Sequence, residues 1–356
     1  MRKIAIFLTS FNAGGLERVF VNYANRLIDF CEITIISCNS FGELRKEIDK
    51  RIHIEILDDS RLRKSPSKLL KVLKKSDYDV VFTGGDSLNC VLILVSFFLN
   101  NSTKIIISQH NYNNIEQQKS KFWNIFGKKI MHVLYPHADC VIAVSDGIKD
   151  YLINSIQVPA AKICTVYNGI NCEEIIARSE DNSVAVPDYD YVLYMGRLSI
   201  VKNIPHILRS FEKANLGNVH LIILGSGEEK EELQRVANAL TKRELIHFVG
   251  AVSNPFPLLK NARALLMASF SEACPMVVLE SLALNVPVVT TPASGPVEML
   301  KDFDKAIITE SFDNIDEYAE CIQSAVKEDG FNAKQIVEKY EMKKSLDQLL
   351  GLIKSN

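Results

Sequence analysis

Short apolar runs alternate with amphipathic helical patterns along the whole chain. Residues 3–9, 104–108 and 191–195 have the length and apolar content of buried strands, whereas residues 19–27 carry apolar side chains at helical spacing. Strands that alternate with helices form parallel sheets covered by helices on both faces. The pattern therefore predicts an α/β protein.

The alternation is interrupted by a polar and acidic stretch at residues 171–190 that contains Pro187. We predict that this stretch links an N-terminal domain of residues 1–170 to a C-terminal domain of residues 191–336. A last helical pattern follows in residues 337–356. With 356 residues, of which 47% are hydrophobic and 24% charged, the chain is long enough to bury two cores.

Composition and charge argue against several classes of protein. A net charge of −2 gives no basis for nucleic-acid binding, which needs a clearly basic domain. The longest apolar run, residues 90–99, is about half of the ~20 residues that a membrane-spanning helix needs, and the N-terminus lacks a signal-peptide pattern. The eight cysteines form no C-x-x-C pair and lie mostly in apolar runs, as reduced core residues of a cytoplasmic protein do.

Residues 264–290 predict one β-α-β unit that carries two glutamates. The unit consists of an apolar strand, a polar turn, a helix that Pro275 begins and Asn285 ends, and a second apolar strand. Glu272 lies in the turn just before the helix. Glu280 lies roughly 7 Å beyond the helix start, at ~1.5 Å per residue.

The start of this helix offers a binding site for an anion. The backbone N–H groups of Met276 and Val277 have no partner within the helix, and the helix dipole favours negative charge beside them. A diphosphate bound there would leave Glu280 within reach of a ribose and Glu272 beside the group on the distal phosphate. The alternative is that Glu272 only caps the helix and Glu280 faces water.

A second set of candidates follows the strand at residues 191–195. Arg197 and Lys202 lie five residues apart after Gly196, where arginine can bind a diphosphate as a bidentate fork and lysine as a point charge. The alternative for both residues is solvated surface charge. Gly250 ends another strand, at a place where backbone groups could receive the base of a nucleotide.

Two positions in the N-terminal domain are candidates for contact with a ligand. Gly14 and Gly15 separate the first strand from the first helix, so that backbone N–H groups could approach a ligand, although the pair could equally form a tight turn only. His110 follows the strand at residues 104–108, where an imidazole can hydrogen-bond a sugar hydroxyl or transfer a proton near neutral pH. A lone histidine at such a position is more often structural.

The ordered set of motifs resembles the family 4 glycosyltransferases, which have the GT-B fold. The matching strings are G-G-x-E-R at residues 14–18, V-S-x-x-I-K at residues 144–149, Y-N-G-I at residues 167–170, G-R-L-x-x-x-K-N at residues 196–203 and E-x7-E at residues 272–280. The resemblance implies two Rossmann-like parallel-sheet domains that face a central cleft, with the C-terminal helix crossing back to the N-terminal domain. It also implies a retaining transfer from a nucleotide diphosphate sugar, for which UDP is favoured.

The resemblance assigns roles to the candidate residues. Glu272 binds hydroxyls of the donor sugar, Glu280 binds the ribose, and His110 contacts the sugar from the opposite domain. Arg197 and Lys202 complete the expected catalytic set. The expected donor-binding residues are Gly14, Gly15, Gly196, Arg197, Lys202, Gly250, Glu272, Pro275, Met276, Val277 and Glu280.

The reaction is expected to need no metal ion or other cofactor. No D-x-D motif stands at a predicted strand end, so Arg197, Lys202 and the helix N-terminus would take the place of Mg²⁺. Ala273 and Cys274 stand where many relatives have Gly-Phe or a similar pair, which leaves the transferred sugar open. Two other functions fit the same architecture: a UDP-GlcNAc 2-epimerase, which needs no acceptor, and a catalytically silent subunit of a glycan assembly complex.

Two basic segments indicate contact with a membrane surface. Residues 61–75 contain seven basic residues and no acid, and residues 119–129 combine aromatic side chains with lysines. Such segments could lie on an anionic membrane or be solvated helix faces. Because family 4 enzymes often act on lipid-linked acceptors, we expect a lipid-linked oligosaccharide of a bacterial surface polysaccharide as acceptor, and a protein peripheral on the cytoplasmic face of the membrane. The acceptor-side or membrane-side candidates are Lys119, Lys121, Trp123, Lys128 and Lys129.

Overall fold

Parallel strands alternate with helices in the structure, a computed structural model that describes residues 1–12, 14–58, 65–99, 102–112 and 121–355. The chain divides into two units. The first consists of Met1–Gly169 and Met342–Asn356, and the second of Ile170–Glu341. Each unit is built around its own parallel sheet, which confirms the prediction of an α/β protein with two Rossmann-like domains.

The first unit contains a seven-stranded parallel sheet. Its strands and helices are β1 (Lys3–Leu8), α1 (Gly15–Leu27), β2 (Glu32–Ser37), β3 (His53–Ile56), α2 (Ser65–Lys75), β4 (Val80–Gly84), α3 (Asp86–Ser96), β5 (Lys104–Gln109), α4 (Lys121–Leu134), β6 (Cys140–Ala143), α5 (Asp146–Asn154) and β7 (Ile163–Thr165). The strand order is β3-β2-β1-β4-β5-β6-β7. The first strand therefore lies inside the sheet, with β2 and β3 on one side and β4 to β7 on the other.

Apolar strand sequences and their register bring the carboxyl ends of the central strands to one edge. In β1 the residues from Ile4 to Leu8 are buried, as expected of a parallel strand covered on both faces. Ile4 pairs with Ile33 of β2 on one side and with Val80 of β4 on the other. Gly84 at the end of β4 pairs with Ser108 of β5, so the residues that follow these strands lie side by side.

The second unit contains a six-stranded parallel sheet. Its elements are α6 (Cys172–Ser179), β8 (Tyr191–Met195), α7 (Ile204–Lys213), β9 (His220–Leu224), α8 (Lys230–Asn238), β10 (Ile246–Gly250), α9 (Phe256–Lys260), β11 (Leu265–Met267), α10 (Met276–Ala283), β12 (Val288–Thr290), α11 (Ser294–Leu300), β13 (Ile307–Ile308), α12 (Ile315–Val326) and α13 (Lys334–Lys339). The strand order is β10-β9-β8-β11-β12-β13. The loops after β8 and β11 are thus neighbours, which positions the candidate site.

The stretch predicted as a linker at residues 171–190 contains a helix, α6, that packs on the second unit. Asn171 caps the helix by accepting from the N–H of Glu174. The carbonyl of Arg178 accepts from Asn254 Nδ2 at 2.8 Å, and the guanidinium of Arg178 lies 4.8 Å from the centre of the Phe256 ring. The polar composition hid this helix because only Ile175 and Ser179 of its eight residues are buried.

The predicted C-terminal helix at residues 337–356 is two helices. The first, α13, belongs to the second unit, and the last helix, α14 (Met342–Lys354), is grouped with the first unit. Between the two helices, the Tyr340 carbonyl accepts from the Ile170 N–H at 2.8 Å. Ile170 and Glu341 thereby form an isolated parallel β-bridge at the point where the helix is interrupted. Helical spacing alone does not reveal such a break.

Candidate functional site

The predicted β-α-β unit with two glutamates is present as β11, α10 and β12. Pro275 keeps an extended backbone, with φ −71° and ψ 114°, so Met276 is the first helical residue, one position later than predicted. Asn285 adopts the left-handed conformation at φ 56°, as expected of a residue that ends a helix. Residues 268–275, which join β11 to α10 and carry Glu272, are called the glutamate loop below.

Glu272 is held in place by two groups that contact its carboxylate. The Ser269 hydroxyl donates to Glu272 Oε1 at 2.8 Å, and the Lys202 ammonium forms an ion pair with the same oxygen. Only 13% of the Glu272 side chain and 25% of the Lys202 side chain are exposed, so water reaches the pair from few directions. The hydrogen bonds of the Glu272 carboxylate come from Lys202 and Ser269 and not from the first N–H groups of α10, which argues against the alternative in which Glu272 caps this helix.

The first turn of α10 forms the second part of the site. By helix geometry, the N–H groups of Met276 and Val277 have no acceptor within the helix. Pro275 is buried, whereas Met276, Val277 and Glu280 are partly exposed. An anion at this end of the helix would meet N–H donors and the positive end of the helix dipole.

Residues after β12 fix the backbone of the glutamate loop, and the sequence did not reveal them. The Gly295 N–H donates to the Glu272 carbonyl at 2.9 Å, and the Thr291 hydroxyl donates to the Ser269 carbonyl at 2.8 Å. A Cβ at Gly295 would collide with the carbonyl oxygen of Ala273, so only glycine fits there. The available signal was the A-S-G-P string at residues 293–296, within the stretch that resembles family 4 enzymes.

Three neighbouring strands lead into glycines that bring their loops together. Gly196, Gly225 and Gly250 have φ values of 155°, 138° and 88°, which favour glycine. The Gly196 N–H donates to the Leu224 carbonyl at 3.0 Å, and the Gly225 N–H donates to the Gly250 carbonyl at 2.8 Å. A Cβ at Gly225 would collide with the carbonyl oxygen of Gly196. Gly196, Gly225 and Gly250 thus bring the ends of β8, β9 and β10 into backbone contact.

A short 3₁₀ turn positions Lys202. The turn covers Ile200–Lys202, and Asn203 ends it in the left-handed conformation, with φ 49° and ψ 42°. The Phe270 N–H donates to the Val201 carbonyl at 2.9 Å, which ties the turn to the glutamate loop. Because β8 and β11 are neighbours in the sheet, a lysine after one strand reaches a glutamate after the other.

Arg197 and Lys202 have different partners. The Arg197 guanidinium donates to Glu228 Oε2 from Nη2 at 3.0 Å and from Nε at 3.2 Å, in an exposed pair. The backbone N–H of Glu228 and then the Arg197 charge lower the pKa of the Glu228 carboxyl. Glu228 was not predicted as a site residue. An anionic ligand at Arg197 must compete with this carboxylate.

Tyr194 supports the loop that carries Arg197. Its hydroxyl donates to the Arg197 carbonyl at 2.8 Å, and the side chain is buried. Burial, and in second place the Glu272 carboxylate, raise the pKa of Tyr194. The phenol therefore stays protonated near neutral pH and acts as a hydrogen-bond donor.

His110 lies in the first unit, directly after β5. Its Nε2 is 2.8 Å from Ser108 Oγ. Burial lowers the pKa of His110 to about 4, although the Asp86 charge opposes the shift, so the imidazole is neutral at pH 7. The residue lines a small pocket together with Tyr23, Asn168 and several apolar side chains.

The two predicted glycines of the first unit lie at the start of α1. Gly14 precedes the helix with φ −75° and Gly15 is its first residue, so neither has a backbone conformation that requires glycine. A Cβ at Gly14 would collide with the carboxylate of Glu17, whereas a Cβ at Gly15 would meet no described atom within 4 Å. The Glu17 carboxylate thus occupies the space that a side chain at position 14 would need.

The acceptor-side candidates are located only in part. Lys119 lies outside the described residues, and Lys121 and Trp123 belong to α4. Lys128 and Lys129 are exposed on the same helix. An exposed aromatic side chain, Phe126, precedes them.

The earlier basic segment is an ordinary amphipathic helix where it is described. Residues 61–64 lie outside the described residues, and α2 covers the remainder. Leu69 and Leu73 are buried, with 0% and 5% of their surface exposed. Because the apolar side of α2 is already in the core, this segment is better explained as a solvated lysine face than as a membrane-inserting helix.

The described residues contain no group of three or more histidine, cysteine, aspartate and glutamate side chains arranged to hold a metal ion. The eight cysteines are all free thiols, and five of them are buried. In the part of the chain that the structure covers, every helix is too short or too polar to cross a membrane.

Two parallel-sheet units with candidate ligand groups at the carboxyl ends of their strands are the architecture of the GT-B glycosyltransferases. The family model described as Glycosyltransferase Family 4 matches residues 13–174, and the model described as Glycosyl transferases group 1 matches residues 177–342. Together the two models account for nearly the whole chain. The chain therefore belongs to the family 4 glycosyltransferases.

Similar proteins agree with this family. In Campylobacter jejuni, the N-acetylgalactosamine-N,N'-diacetylbacillosaminyl-diphospho-undecaprenol 4-alpha-N-acetylgalactosaminyltransferase is 26% identical over 92% of this chain and 91% of its own length. The GalNAc-alpha-(1->4)-GalNAc-alpha-(1->3)-diNAcBac-PP-undecaprenol alpha-1,4-N-acetyl-D-galactosaminyltransferase of the same organism is also 26% identical, over 99% of this chain and 98% of its own. Among solved structures, HepE of Anabaena in complex with UDP and glucose matches with a TM-score of 0.80 at 16% identity, covering 100% of both chains.

Proposed function

We propose that this glycosyltransferase moves a hexose or N-acetylhexosamine, with retention of the anomeric configuration, from a UDP-sugar to a lipid-linked oligosaccharide in the synthesis of a bacterial surface polysaccharide. The observation that carries the proposal is the arrangement around Glu272. Its carboxylate, held by Ser269 and Lys202, lies directly before the uncapped N-terminus of α10. A carboxylate that can bind sugar hydroxyls is thus next to a cation and a helix end that can bind a diphosphate.

Charge on the leaving diphosphate explains how these groups would accelerate the reaction. Negative charge grows on the diphosphate as the glycosidic bond breaks, and preorganised cations and N–H groups stabilise it. Lys202, Arg197 and the first turn of α10 supply these groups. At Arg197 the donor diphosphate would replace the Glu228 carboxylate. An exposed ion pair contributes only about 0–1 kcal/mol, so breaking it costs little free energy.

The proposed reaction proceeds without a metal ion. The cations and the helix end take the role that Mg²⁺ has in other nucleotide-dependent enzymes. Turnover should then be the same in EDTA as in buffer with Mg²⁺. A loss in EDTA that Mg²⁺ or Mn²⁺ restores would contradict this part of the proposal.

The choice of donor and acceptor is supported by named relatives. HepE of Anabaena has been solved with UDP, with UDP and glucose, and with UDP-glucose. The two Campylobacter jejuni relatives are named for transfer of N-acetylgalactosamine to undecaprenol diphosphate-linked sugars. These names favour a UDP-linked hexose or N-acetylhexosamine and a polyprenyl diphosphate acceptor.

Thermal stabilisation by nucleotides is the first test. UDP, GDP, ADP and their sugar derivatives would be added to the wild type, to Glu280→Ala and to a control, Glu320→Ala, which removes an exposed glutamate from α12 of the same unit. A ligand at 100 times its Kd adds about 2.7 kcal/mol of stability. UDP compounds should stabilise the wild type and the control but not Glu280→Ala. A protein that no nucleotide stabilises would contradict the proposal.

Turnover then separates the proposed reaction from the other functions. UDP-glucose, UDP-galactose and their N-acetyl derivatives would be incubated with a polyprenyl diphosphate oligosaccharide, and the anomeric configuration of the product read by NMR. An α-linked product from these α-linked donors is expected. An epimerised sugar from donor alone would support the 2-epimerase, and donor binding without any product would support a silent subunit.

Association with an anionic membrane is a part of the proposal that α4 supports. Phe126, Lys128 and Lys129 are exposed on this helix. Each lysine near an anionic surface contributes about 1 kcal/mol, so replacing Lys128 and Lys129 by Glu should weaken binding to phosphatidylserine vesicles by more than ten-fold. The control replaces Lys71 and Lys74 by Glu, which changes the same charge on α2. Equal vesicle binding by both variants and the wild type would contradict a role for α4.

A further inference from the structure

We propose that Ser108 fixes the tautomer of His110, so that Nε2 carries the ring proton and Nδ1 is a hydrogen-bond acceptor for a substrate hydroxyl. The tautomer follows from contacts within the first unit. The identity of the hydroxyl rests on the proposed function, because a sugar substrate would supply it.

The Ser108 hydroxyl has one proton and two neighbours. Its oxygen lies 3.2 Å from the Thr83 carbonyl oxygen and 2.8 Å from His110 Nε2. A carbonyl oxygen can only accept, whereas a neutral imidazole nitrogen can donate or accept. Both contacts are hydrogen bonds only when Ser108 donates to Thr83 and accepts from His110. Nε2 is then the protonated nitrogen.

The surroundings of Ser108 hold its hydroxyl in this position. The residue is buried, and its backbone carbonyl accepts from Asn89 Nδ2 at 2.9 Å. A Cβ at Gly84 of the neighbouring strand would lie 2.6 Å from Ser108 Oγ, so glycine at this position leaves room for the hydroxyl. Thr83 and Ser108 belong to the paired strands β4 and β5, so the sheet itself places the carbonyl that orients the hydroxyl.

A tautomer has consequences only if the ring is neutral. Burial lowers the pKa of His110 to about 4, so the ring carries one proton at pH 7. The charged group that favours the doubly protonated ring is Asp86, which accepts from Gln109 Nε2 at 2.8 Å. Its influence does not offset the effect of burial. Phe20, whose ring centre lies 6.0 Å from that of the imidazole, contributes no charge.

The assigned tautomer limits what His110 can bind. Among the described residues, the recorded hydrogen bond of the His110 ring is made by Nε2. Nδ1 offers a lone pair and no proton, so its partner must be a donor such as a sugar hydroxyl. Diphosphate oxygens are acceptors and would be repelled. At pH 7, His110 therefore contacts a hydroxyl and does not protonate the leaving diphosphate.

Histidine NMR tests the tautomer without any activity measurement. In protein with ¹⁵N-labelled histidine, a long-range ¹H–¹⁵N correlation spectrum separates protonated from bare ring nitrogens, and His110→Gln identifies the signals of His110 among the seven histidines. We expect a bare Nδ1 and a protonated Nε2 in the wild type. A protonated Nδ1 would overturn the proposal.

Two variants test the part played by Ser108. Ser108→Ala should give a mixture of both tautomers. The control Ser37→Ala removes another buried serine hydroxyl from the same sheet, one that donates to the Asn39 carbonyl at 2.8 Å, and should leave the His110 signals unchanged. An unchanged tautomer in Ser108→Ala would also overturn the proposal, and the wild-type spectrum decides the question if this variant does not fold.

Ligand titration tests the substrate contact. UDP-sugar should shift the Nδ1 signal whereas UDP should not, and Ser108→Ala should bind UDP-sugar about five-fold more weakly while its affinity for UDP is kept. If UDP stabilises the protein but UDP-sugar leaves Nδ1 unchanged, the contact to the sugar is wrong while the donor site is intact. If no nucleotide stabilises the protein, the proposed function fails, and the NMR spectrum still decides the tautomer.

Discussion

The two ion pairs of the proposed donor site differ in how firmly they hold their carboxylates. In the Arg197–Glu228 pair the side chains are 69% and 45% exposed, so water and salt screen the attraction. The Lys202–Glu272 pair is largely shielded, and Ser269 adds a second donor to the same carboxylate. Removing one partner of a shielded pair leaves the other charge poorly compensated. Of the two carboxylates, Glu272 is therefore held more firmly than Glu228.

The amide Glu272→Gln preserves the size of this side chain and removes its charge. A hydrogen bond to a charged group contributes about 1.5–3 kcal/mol, so kcat/KM should fall by roughly 10- to 150-fold. Stabilisation by UDP should persist, because Glu272 is proposed to contact the sugar. The control is Glu244→Gln, in which the glutamate is 84% exposed and pairs with Arg243. A kcat/KM within two-fold of the wild type would remove Glu272 from the catalytic set.

At the scale of elements, short turns rather than helices position the charged side chains. The 3₁₀ turn that carries Lys202 ends at Asn203 in the left-handed conformation. Asparagine tolerates this conformation better than other residues with a side chain. Helix α7 begins immediately afterwards at Ile204, so the backbone of Asn203 sets the direction of the chain between the turn that carries Lys202 and this helix.

The backbone of Asn203 can be tested by comparing two substitutions. Both Asn203→Ala and Asn203→Gly lose the 3.4 Å hydrogen bond to the Phe312 carbonyl, so their difference reports the backbone alone. Alanine in the left-handed region costs roughly 1–2 kcal/mol, whereas glycine adopts it freely. Asn203→Ala should therefore unfold at lower urea concentration and have a higher KM for the donor than Asn203→Gly. Indistinguishable variants would mean that this turn does not position Lys202.

The junction of strand ends at Gly225 is expected to tolerate no side chain. In Gly225→Ala the new Cβ would collide with the backbone of Gly196, and the φ of 138° is unfavourable for alanine. We expect a loss of about 2 kcal/mol or more in the free energy of unfolding, together with weaker UDP binding. Gly351→Ala is the matched control, because Gly351 is exposed in α14 and alanine there should add about 0.8–1 kcal/mol. Equal stability of the two variants, by urea denaturation, would refute the proposed crowding.

The sequence indicated these elements better than it indicated the contacts between them. Apolar runs and turn residues predicted the strands and the loops after β8 and β11, since these signals are local. Ser269 and Gly295 were missed, because a hydroxyl or a backbone N–H that supports a distant loop leaves no periodic pattern. The helix α6 was missed for a related reason: its polar side chains are used in packing, with Arg178 against Phe256.

At the scale of the whole molecule, the last helix returns to the unit in which the chain began. The Ile353 carbonyl accepts from Arg2, and the Leu352 carbonyl accepts from Lys104 Nζ at 2.9 Å. Helical spacing indicated an amphipathic helix near the C-terminus, but only the resemblance to family 4 enzymes indicated which domain it would join. The two-residue break before Met342 has no strong sequence signal, because neither Tyr340 nor Glu341 is a helix breaker.

This placement of α14 predicts separate effects on the two units. Ile353 is 1% exposed, so Ile353→Asp buries a carboxylate in the core of the first unit and should destabilise that unit by about 3 kcal/mol or more. Gln348→Asp adds the same charge at an exposed position of the helix and should have little effect. Calorimetry with and without UDP identifies the transition of the second unit, because the ligand raises it. Ile353→Asp should lower the other transition and leave the UDP-dependent one in place; if the UDP-dependent transition fell as well, α14 would stabilise more than the first unit.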